Sequence, residues 1–406
     1  MNRLETLWTK LCARTDYESC SRPRAARFRL DTIQGLVKRL DNVHLALPAL
    51  HLAGSKGKGS VCHYLAKGLS ASGIRTGLYT SPHLSDWRER IQVDGHPLPD
   101  SDLADAIELV LQASAGDETF FDLLTATAML AFRDTGCEIM ILETGLGGRS
   151  DSTNVVQPLA AAVSAIELEH TDVLGPDLAT IAGEKAGIFK SDSLLFAGAH
   201  IRPTALTVLQ SSADALNQSL LIAPSSMPGF KHPQPHMEAN FALAVTILRH
   251  LPRPFSAAAD LLPSLPMSAL QLPGRLEYRT LPDGRPAIFD VAHSTDSLSS
   301  VIQTFREAYP DAKRGIVLAL RDDKDADLLA TQLNAVLGTR PSSEKWWTAP
   351  AGDHPRSANP ATIALSFDAE ALTQPGFPDG PEVLLITGST YLVGALRPQT
   401  APIDTL

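Results

Sequence analysis

A short glycine-rich stretch constrains the fold of this chain more than any other feature. It lies between an apolar run at 47–52 and a helical pattern at 61–72, and it reads Ala53-Gly54-Ser55-Lys56-Gly57-Lys58-Gly59-Ser60. Its closely spaced glycines allow a tight turn, and backbone N–H groups at a helix N-terminus bind phosphate oxygens. The usual P-loop has four residues between its first glycine and its Gly-Lys pair, whereas this stretch has two. The spacing alone therefore leaves two interpretations open, a phosphate-binding loop and a polar surface turn.

The length and composition are those of a globular protein with more than one domain. The chain has 406 residues, enough for about two or three domains, and its hydrophobic and charged fractions of 44% and 20% are ordinary. A formal net charge of −10 argues against nucleic acid or an anionic membrane as a general partner. No apolar run is long enough for a membrane span and no secretory pattern opens the sequence. We therefore expect a cytoplasmic protein.

The cysteines show no spacing typical of a metal site; they are Cys12, Cys20, Cys62 and Cys137. Cys12 and Cys20 are near enough in sequence to pair, but thiols in a cytoplasm are normally reduced. We therefore expect reduced cysteines.

Alternating strand and helix patterns predict an α/β fold. The periodicity predicts helices at 25–40, 99–115, 119–134, 178–189 and 238–250, and strands at 75–80, 138–142 and 159–166. The stretch 191–236 gives no clear pattern. A proline-rich connector from Leu251 to Pro273 follows, after which the alternation restarts. Because strands that alternate with helices form parallel sheets, the sequence predicts two α/β domains joined near residue 265.

Polar side chains follow several of these strands, at the sheet edge where ligands bind. The stretch Ser81–His83 follows one strand, Glu143 follows another, and His170 follows a third. A carboxylate beside a phosphate loop is a candidate Mg²⁺ ligand, although Glu143 could equally cap a turn or pair with Arg149. His170 is either a metal ligand or a turn residue.

Further short motifs continue along the chain. In order they are Tyr79–Leu84, Glu89–Ile91, Glu143–Arg149, Asp151–Asn154, Glu169–Asp172, Glu184–Gly187, Pro273–Arg275, Asp290–His293, Asp323–Asp325 and Gly388-Ser389. With the glycine loop, these eleven motifs resemble, in their order, those of the folylpolyglutamate synthase and dihydrofolate synthase family, within the ATP-dependent Mur ligase superfamily. The resemblance runs from Leu52 to Gly394 with a gap at 191–236. The shortened loop of that family also accounts for the glycine spacing.

The resemblance implies a fold and a set of binding residues. The fold is α/β, with a P-loop-type, mostly parallel sheet ATPase domain at 1–265 and a smaller Rossmann-like glutamate-ligase domain at 266–406. The implied ATP-binding residues are Gly54, Ser55, Lys56, Gly57, Lys58, Gly59, Ser60, Asn240, Arg275 and Asp290. Two Mg²⁺ ions are implied, with ligands from Ser60, Ser81, Glu143, His170 and Lys185, and with Lys185 carried as a carbamate. The implied catalytic residues are Lys58, Lys185, Asp290 and His293.

The resemblance also implies residues for the acceptor, namely Ser81, Pro82, His83, Phe121 and Asp151. Because a flat ring gains from aromatic stacking, Phe120 and Phe121 are candidates for a pterin pocket; the alternative is that both belong to the core of their helix. The sequence departs from the commoner family pattern at two places. Ser55-Lys56 stands where Thr-Asn is usual, and Ser294-Thr295 stands where Asn-Pro is usual.

The activity implied by the resemblance is ATP-dependent addition of L-glutamate to a (tetrahydro)folate, with or without addition to dihydropteroate. ATP converts the acceptor carboxylate into an acyl phosphate, and the amine of glutamate then displaces phosphate. The expected partners are these small molecules, with no nucleic acid and no membrane, and the chain is expected to act as a monomer. The alternatives are a Mur-type ligase for another carboxylate, a nucleotide-binding module without catalysis, and a kinase or GTPase with an ordinary P-loop.

Overall fold

The structure is a computed structural model that describes residues 2–15, 30–322, 324–352 and 357–403. It divides the chain into two compact units. The first comprises Met1–Pro82 and Arg88–Leu265, and the second comprises His83–Trp87 and Pro266–Leu406. The short segment His83–Trp87 is therefore part of the second unit, which a single boundary near residue 265 does not anticipate.

The strands of the first unit form a sheet in which β1 is central. In chain order they are β1 (Ala49–Ala53), β2 (Thr76–Tyr79), β3 (Ile91–Val93), β4 (His96–Pro97), β5 (Ile139–Glu143), β6 (Ala160–Val163), β7 (Leu194–Ala197) and β8 (Leu220–Ile222). Across the sheet their order is β4-β3-β2-β5-β1-β6-β7-β8. The pairings from β2 to β8 are parallel, and β3 pairs antiparallel with β2 and β4. The strands β1, β5 and β6 are buried along their whole length, as expected for a parallel sheet covered on both faces.

The first unit also contains the helices that pack on this sheet. They are α1 (Arg3–Cys12), α2 (Leu30–Arg39), α3 (Lys58–Ala71), α4 (Asp100–Ala113), α5 (Phe120–Asp134), α6 (Thr171–Leu174), α7 (Leu178–Lys185), α8 (Pro203–Asp214), α9 (Pro235–His250) and α10 (Ala258–Leu261). Local sequence determines where α5 begins, because Thr119 and Asp122 each accept a hydrogen bond from the backbone N–H of the other. The Asp122 carboxylate also accepts a bond from Ser152 Oγ at 2.6 Å, which holds the 151–154 motif on this helix.

The second unit is a further α/β layer structure. Its elements are α11 (Met267–Leu270), β9 (Glu277–Thr280), β10 (Pro286–Phe289), α12 (Thr295–Ala308), β11 (Arg314–Leu318), α13 (Ala326–Leu337), β12 (Glu344–Thr348), α14 (Pro360–Phe367), β13 (Glu370–Ala371), β14 (Val383–Thr387), α15 (Thr390–Leu396) and β15 (Ala401–Pro402). The strand order is β13-β12-β11-β14-β10-β9-β15. The strands from β13 to β10 pair in parallel, and β9 pairs antiparallel with β10 and β15. Leu84 of the segment His83–Trp87 packs on the core of this unit.

The predicted α/β class, with a mostly parallel first sheet, is confirmed. Several boundaries differ from those predicted. The helix predicted at 25–40 is described only from Leu30, because 16–29 lie outside the described residues. The helix predicted at 178–189 extends too far, since α7 ends at Lys185 and continues as a 3-10 turn at Ala186–Ile188. The stretch 191–236, which gave no clear pattern, contains β7, α8 and β8.

Two expectations from composition can be compared with the described residues. Among them, no helix combines the length and the apolar character that crossing a membrane requires. Cys62 and Cys137 are buried thiols. Cys20 lies outside the described residues, so the expectation that Cys12 and Cys20 are reduced stays a prediction.

Candidate active site

The glycine loop joins β1 to α3 at the carboxyl edge of the first sheet. The helix begins at Lys58, and its N-cap is Gly57, which has a φ of +83° and no side chain to cap the first turn. The first N–H groups of a helix have no partner within the helix, so those of α3 are suited to bind an anion. The Lys58 ammonium lies over the loop and donates a hydrogen bond to Gly54 O at 2.9 Å. The arrangement is that of a phosphate-binding loop.

A second loop, 164–167, follows β6 and fixes the shape of the glycine loop. Ser55 N donates to Ala165 O at 2.7 Å, and Ser164 Oγ donates to Lys56 O at 2.6 Å. The first bond joins the two backbones and the second joins the Ser164 side chain to the backbone of the glycine loop, and the parallel pairing of β1 with β6 brings both loops to the same sheet edge.

The two lysines of the glycine loop lie in different environments. Lys56 Nζ is 2.6 Å from Glu167 Oε2, and the two side chains are 45% and 46% exposed. Ion pairs of this exposure contribute little because solvent screens them. The charge of Lys58 instead acts on groups within the site, where it lowers the pKa of Lys185. Of the two lysines, Lys58 is therefore the one whose charge reaches Lys185, and its catalytic role stays a prediction.

Glu143 ends β5 beside the glycine loop. It is 5% exposed, and its Oε2 accepts a hydrogen bond from Ser81 N at 3.2 Å. A Cβ added to Gly59 would lie 3.3 Å from the same Oε2, so the carboxylate faces the first turn of α3. Arg149, the alternative partner of Glu143, donates to Gly183 O at 2.9 Å. The carboxylate is thus held where it can face a cation that binds phosphate.

Lys185, at the end of α7, is almost fully buried, with 1% of its side chain exposed. Its Nζ donates to Glu169 Oε1 at 2.9 Å. Burial lowers the pKa of Lys185 to about 8; the Glu169 carboxylate opposes this effect and the positive charge of Lys58 adds to it. Part of the Lys185 population therefore carries a neutral, nucleophilic amine near neutral pH.

The end of α7 is fixed against the loop that follows β5. Asn154 Nδ2 donates to Arg149 O at 2.9 Å and to Gly187 O at 3.0 Å. A Cβ added to Gly148 would lie 2.9 Å from Lys185 O, so only glycine permits this approach of the two backbones. Three of the sequence motifs therefore meet here, and together they set the position of Lys185.

His170 follows β6 and precedes the short helix α6, with a left-handed backbone at φ +45°. Its side chain is exposed at the surface, yet the protein around the ring desolvates it and lowers its pKa. Glu169 opposes this effect and Lys185 reinforces it. A neutral imidazole is the form that binds a metal. Both interpretations of His170, turn residue and metal ligand, are compatible with this geometry.

Helix α9 supplies two residues that touch the glycine loop. The Asn240 amide lies against Gly57, where an added Cβ would be 2.4 Å from Asn240 Oδ1. Ser60 Oγ donates its proton to Met237 Sδ at 3.8 Å, a weak acceptor. Because the Ser60 hydroxyl acts as the donor in this bond, the lone pairs of its oxygen are available to bind a cation. A direct contact between Asn240 and a nucleotide stays a prediction.

Asp151 is buried, and the protein itself occupies its carboxylate. The carboxylate accepts bonds from Leu146 N at 2.9 Å, from Thr153 N at 3.0 Å and from Thr153 Oγ1 at 2.5 Å. Burial raises the pKa of Asp151, while these hydrogen bonds act in the opposite direction. Asp151 therefore holds the loop that follows β5, and its contact with an acceptor stays a prediction.

Phe120 and Phe121 occupy different environments. Phe120 is 4% exposed and packs edge-on against Trp8, with ring centroids 5.5 Å apart. Phe121 is half-buried and lies 5.8 Å from the Tyr79 ring, and a Cβ added to Gly145 would be 2.7 Å from its Cζ. Phe120 is thus a core residue, whereas Phe121 covers the loop after β5. Its role in a pterin pocket stays a prediction.

The remaining acceptor candidates are divided between the units. Ser81 and Pro82 belong to the first unit, and His83 belongs to the second. Ser81 and His83 are half-buried and Pro82 is exposed. The structure thus describes Ser81 beside Glu143, while His83 belongs to the second unit, and the contacts of both with an acceptor stay predictions.

In the second unit, Arg275 lies in a turn with an unusual backbone conformation. Gly274 at φ +63° and Leu276 at φ +46° flank it, both in the left-handed region. Arg275 N donates to Leu272 O at 3.1 Å. The guanidinium is half-buried and makes no hydrogen bond or ion pair with any residue in the described ranges. A guanidinium held in this way is suited to bind an anion such as phosphate.

Asp290 holds this turn from beneath. It is 4% exposed; its Oδ2 accepts from Leu276 N at 2.8 Å, and its Oδ1 accepts from Ala292 N at 2.8 Å. The carboxylate therefore joins the Arg275 turn to the loop that carries His293. Its direct contact with nucleotide, and its catalytic role, stay predictions.

His293 lies exposed just before α12. Its Nδ1 is 3.0 Å from Val291 O. Ser294 is the N-cap of α12 and forms a capping box with Ser297, so the residue that departs from the family pattern stabilises the start of this helix. Asp323 of the 323–325 motif lies outside the described residues.

The residues assembled here suit a cation that is also bound by phosphate. Among the described residues, no three His, Cys, Asp or Glu side chains converge as they do around a metal bound by protein alone. Besides Glu167, which pairs with Lys56, the oxygen donors near the first turn of α3 include the Glu143 carboxylate and the Ser60 hydroxyl, and Ser81 is bonded to Glu143 through its backbone N–H. Mg²⁺ commonly takes one or two protein oxygens and completes its shell with phosphate and water. The chemistry of this donor set therefore fits Mg²⁺ bound together with a nucleotide.

Sequence analysis did not assign two carboxylates a role in the site. Glu169 is the ion-pair partner of Lys185, and its position directly before His170 was the available signal. Glu277 lies two residues after Arg275 and accepts a hydrogen bond from Gly274 N at 2.8 Å. In the sequence, the closeness of this acid to Arg275 was the feature that could have indicated its role.

Comparison with known proteins finds relatives that cover most of the chain. No protein-family model matches it. It is 30% identical over 364 residues to the dihydrofolate synthase/folylpolyglutamate synthase of Escherichia coli (strain K12), across 84% of this chain and 83% of that protein. It is 27% identical over 416 residues to the protein of the same name from Bacillus subtilis (strain 168), across 91% and 94%. Among solved structures, E. coli FolC in complex with DHPP and ADP aligns with a TM-score of 0.78 at 25% identity, over 97% of each chain.

We predict that Gly57→Ala weakens ATP binding by about tenfold or more, a loss of about 1.4 kcal/mol or greater. Alanine at φ +83° is strained, and its Cβ would collide with Asn240 at 2.4 Å, so the loop must move. Gly73→Ala is the matched control, because Gly73 also has a φ of +83° but no atom within 4 Å of an added Cβ. Titration calorimetry with ATP measures the difference, and equal affinities of the two variants would contradict the prediction.

Proposed function

The chain belongs to the dihydrofolate synthase/folylpolyglutamate synthase family of ATP-dependent ligases, and we propose that it adds L-glutamate to the carboxylate of a folate. The proposal includes dihydropteroate as an acceptor, because the E. coli and B. subtilis relatives are named for both activities. The solved E. coli relative binds DHPP and ADP, which are an acceptor-side ligand and the nucleotide product expected of such a reaction.

One observation carries the proposal. The Lys58 ammonium lies over a loop that presents uncapped helix N–H groups, and Glu143 lies beside the same loop, bonded to Ser81 N. A polyphosphate bound by the loop would therefore meet a cation, backbone dipoles and a carboxylate oxygen at one edge of the sheet. That combination supports phosphoryl transfer.

The chain's residues support a two-step reaction. The γ-phosphoryl group of ATP is transferred to an oxygen of the acceptor carboxylate, and ADP leaves. The amine of glutamate then attacks the acyl carbon, phosphate departs with that carboxylate oxygen, and the amine loses a proton as the amide forms. Lys58 and the first-turn N–H groups of α3 stabilise the negative charge on the transferring group. Arg275, whose guanidinium has no hydrogen-bond or ion-pair partner among the residues that the structure describes, is proposed to bind a phosphate of the nucleotide.

Divalent metal fits the same edge of the sheet. When bound, Mg²⁺ offsets the charge of the phosphates and orients them. We propose that Ser60 and Glu143 hold one Mg²⁺, and that Ser81 and His170, together with Glu143, hold a second, with a carbamylated Lys185 near the metal. The hydrogen bond from Ser60 Oγ to a thioether leaves the lone pairs of that hydroxyl for the cation.

We predict that phosphate release from ATP by the purified protein requires glutamate together with tetrahydrofolate or dihydropteroate. The acceptor is the group that ATP activates, so neither ATP nor glutamate alone should support turnover. A coupled phosphate assay with each acceptor, combined with mass measurement of the product, distinguishes the two activities. Absence of release with both acceptors would assign the chain a different carboxylate and refute the folate proposal.

Two lysine variants form a matched pair for this assay. Lys58→Ala should abolish release, whereas Lys231→Ala, which removes an exposed ammonium 3.9 Å from Glu238 Oε1, should retain it. Equal rates for the two variants would remove Lys58 from the mechanism.

We further propose that Lys185 is carbamylated. Its amine adds to CO₂ and loses a proton, which converts a buried cation into an anion. The low exposure of Lys185 and its lowered pKa favour the neutral amine that this addition needs. The resulting carbamate would repel Glu169, its present partner, so a cation between the two groups is needed to stabilise it.

We predict a carbamate signal that depends on Lys185. Protein incubated with carbon-13 bicarbonate and Mg²⁺ should show a carbamate carbon resonance, and Lys185→Ala should lack it. Lys190→Ala is the control, because burial also lowers the pKa of Lys190 while its Nζ donates to Asn154 O, away from the glycine loop. A signal that persists in Lys185→Ala, or that is absent from the unmodified protein, would contradict the proposal.

A further inference from the structure

Glu277 is a buried residue whose carboxylate is hydrogen-bonded to the turn that contains Arg275. It is 4% exposed. Its Oε2 accepts a hydrogen bond from Gly274 N at 2.8 Å. Its two oxygens also accept from Arg279 Nη1 at 2.7 Å and from Arg397 Nε at 2.9 Å. The carboxylate is therefore bound at once to the turn and to two buried or half-buried cations.

The turn is held from both sides by carboxylates. Glu277 binds the N–H of the residue before Arg275, and Asp290 binds the N–H of the residue after it, at 2.8 Å in each case. Both of those neighbours, Gly274 and Leu276, have left-handed backbones. A leucine in this region is strained, so the conformation persists because its surroundings fix it.

The C-terminal segment takes part in the same arrangement. Arg279, which is bound to Glu277, donates to Thr400 O at 2.6 Å, and Thr400 Oγ1 donates to Arg397 O at 2.7 Å. The pairing of β9 with β15 places these groups side by side. The cluster thus ties the end of the described chain to the base of the Arg275 turn.

From these contacts we infer that Glu277 is a positioning residue for Arg275, holding the turn so that the Arg275 guanidinium is oriented to bind the nucleotide. The inference rests on the proposed role of Arg275 as a nucleotide contact. Glu277 itself does not touch the nucleotide; it acts through the Gly274 N–H and through the arginines that fix its carboxylate. The side chain of Arg275 is long and flexible, so preorganisation of its backbone lowers the entropy lost on binding.

The second unit contains a natural control for this role. Glu344 is also buried and also bound to arginine, accepting two hydrogen bonds from Arg306 at 2.8 Å, with Arg314 Nε 3.7 Å away. Its other partner is Trp346 Nε1 at 2.8 Å. Among the described residues its carboxylate accepts bonds from side chains and not from the backbone of a turn. Loss of charge at Glu344 should therefore lower stability without affecting nucleotide binding.

We predict that Glu277→Gln weakens ATP binding by about three- to tenfold, and that Arg275→Ala weakens it by about tenfold or more, as expected for a charged hydrogen bond. The double variant should bind ATP no more weakly than Arg275→Ala, because the two changes act through one guanidinium. Glu344→Gln should lower the unfolding temperature by a similar amount to Glu277→Gln and leave the ATP affinity unchanged. Calorimetric titration well below each unfolding temperature measures these affinities.

The outcomes separate this inference from the proposed function. If Arg275→Ala binds ATP as tightly as the unmodified protein, the nucleotide role of Arg275 fails and the inference falls with it. If Arg275→Ala is impaired but Glu277→Gln is not, or if the double variant shows additive losses, the inference alone is refuted. Should Glu277→Gln not fold, Glu277→Asp takes its place, since it keeps the charge beside Arg279 and Arg397 but withdraws the carboxylate from Gly274 N.

Discussion

The parallel pairing of β1 with β5 on one side and β6 on the other determines the chemistry of the first unit. Parallel strands end at the same edge of a sheet, so the segments that follow these strands are brought together there. The segment after β1 is the glycine loop, β5 ends in Glu143, and the loop after β6 binds the glycine loop through Ser164 and Ala165. None of these segments is close to another in sequence. Their shared position depends on the register of the sheet.

Two lysines, Lys58 and Lys185, lie at this edge of the sheet although the stability of the fold does not require their charges there. Lys185 is withdrawn from solvent and, within the part of the chain that the structure describes, pairs with Glu169 alone; burial of a cation costs free energy unless such a partner is well placed. Lys58 adds a second positive charge whose effect reaches Lys185. Bound phosphate, or the conversion of Lys185 to an anion, would relieve the repulsion between these two cations. The arrangement is therefore better explained by a ligand than by stability.

The sequence predicted the first unit well where local pattern and position coincide. The glycine loop had to connect a strand to a helix, and Glu143 had to lie at a strand end, because both features can be recognised in a few consecutive residues. The left-handed N-cap at Gly57 and the short loop are likewise local. The predicted class of fold followed from the alternation of strands and helices, which is a property of the whole chain.

Other features depended on contacts between distant residues, and the sequence could not supply them. The hydrogen bonds that the Asp290 carboxylate accepts from Leu276 N and Ala292 N depend on the folded turn, and the contact of Asp290 with nucleotide stays a prediction. The segment His83–Trp87 joins the second unit because Leu84 packs on a core formed some two hundred residues later in the chain. The Asp151 carboxylate likewise accepts hydrogen bonds from Leu146 and Thr153 of its own loop, which the sequence alone did not reveal.

The central claim is that this chain activates a carboxylate by phosphorylation before the amide bond forms. The most direct measurement uses an acceptor folate whose terminal carboxylate carries oxygen-18 in both positions, with unlabelled ATP and glutamate, followed by mass analysis of the released phosphate. The account predicts one labelled oxygen in each phosphate and one in the new amide. The oxygen that bridges carbon and phosphorus in the acyl phosphate comes from the carboxylate, and it leaves with phosphate when the amine displaces it from carbon. Phosphate without label, formed at the same rate as the amide product, would contradict it.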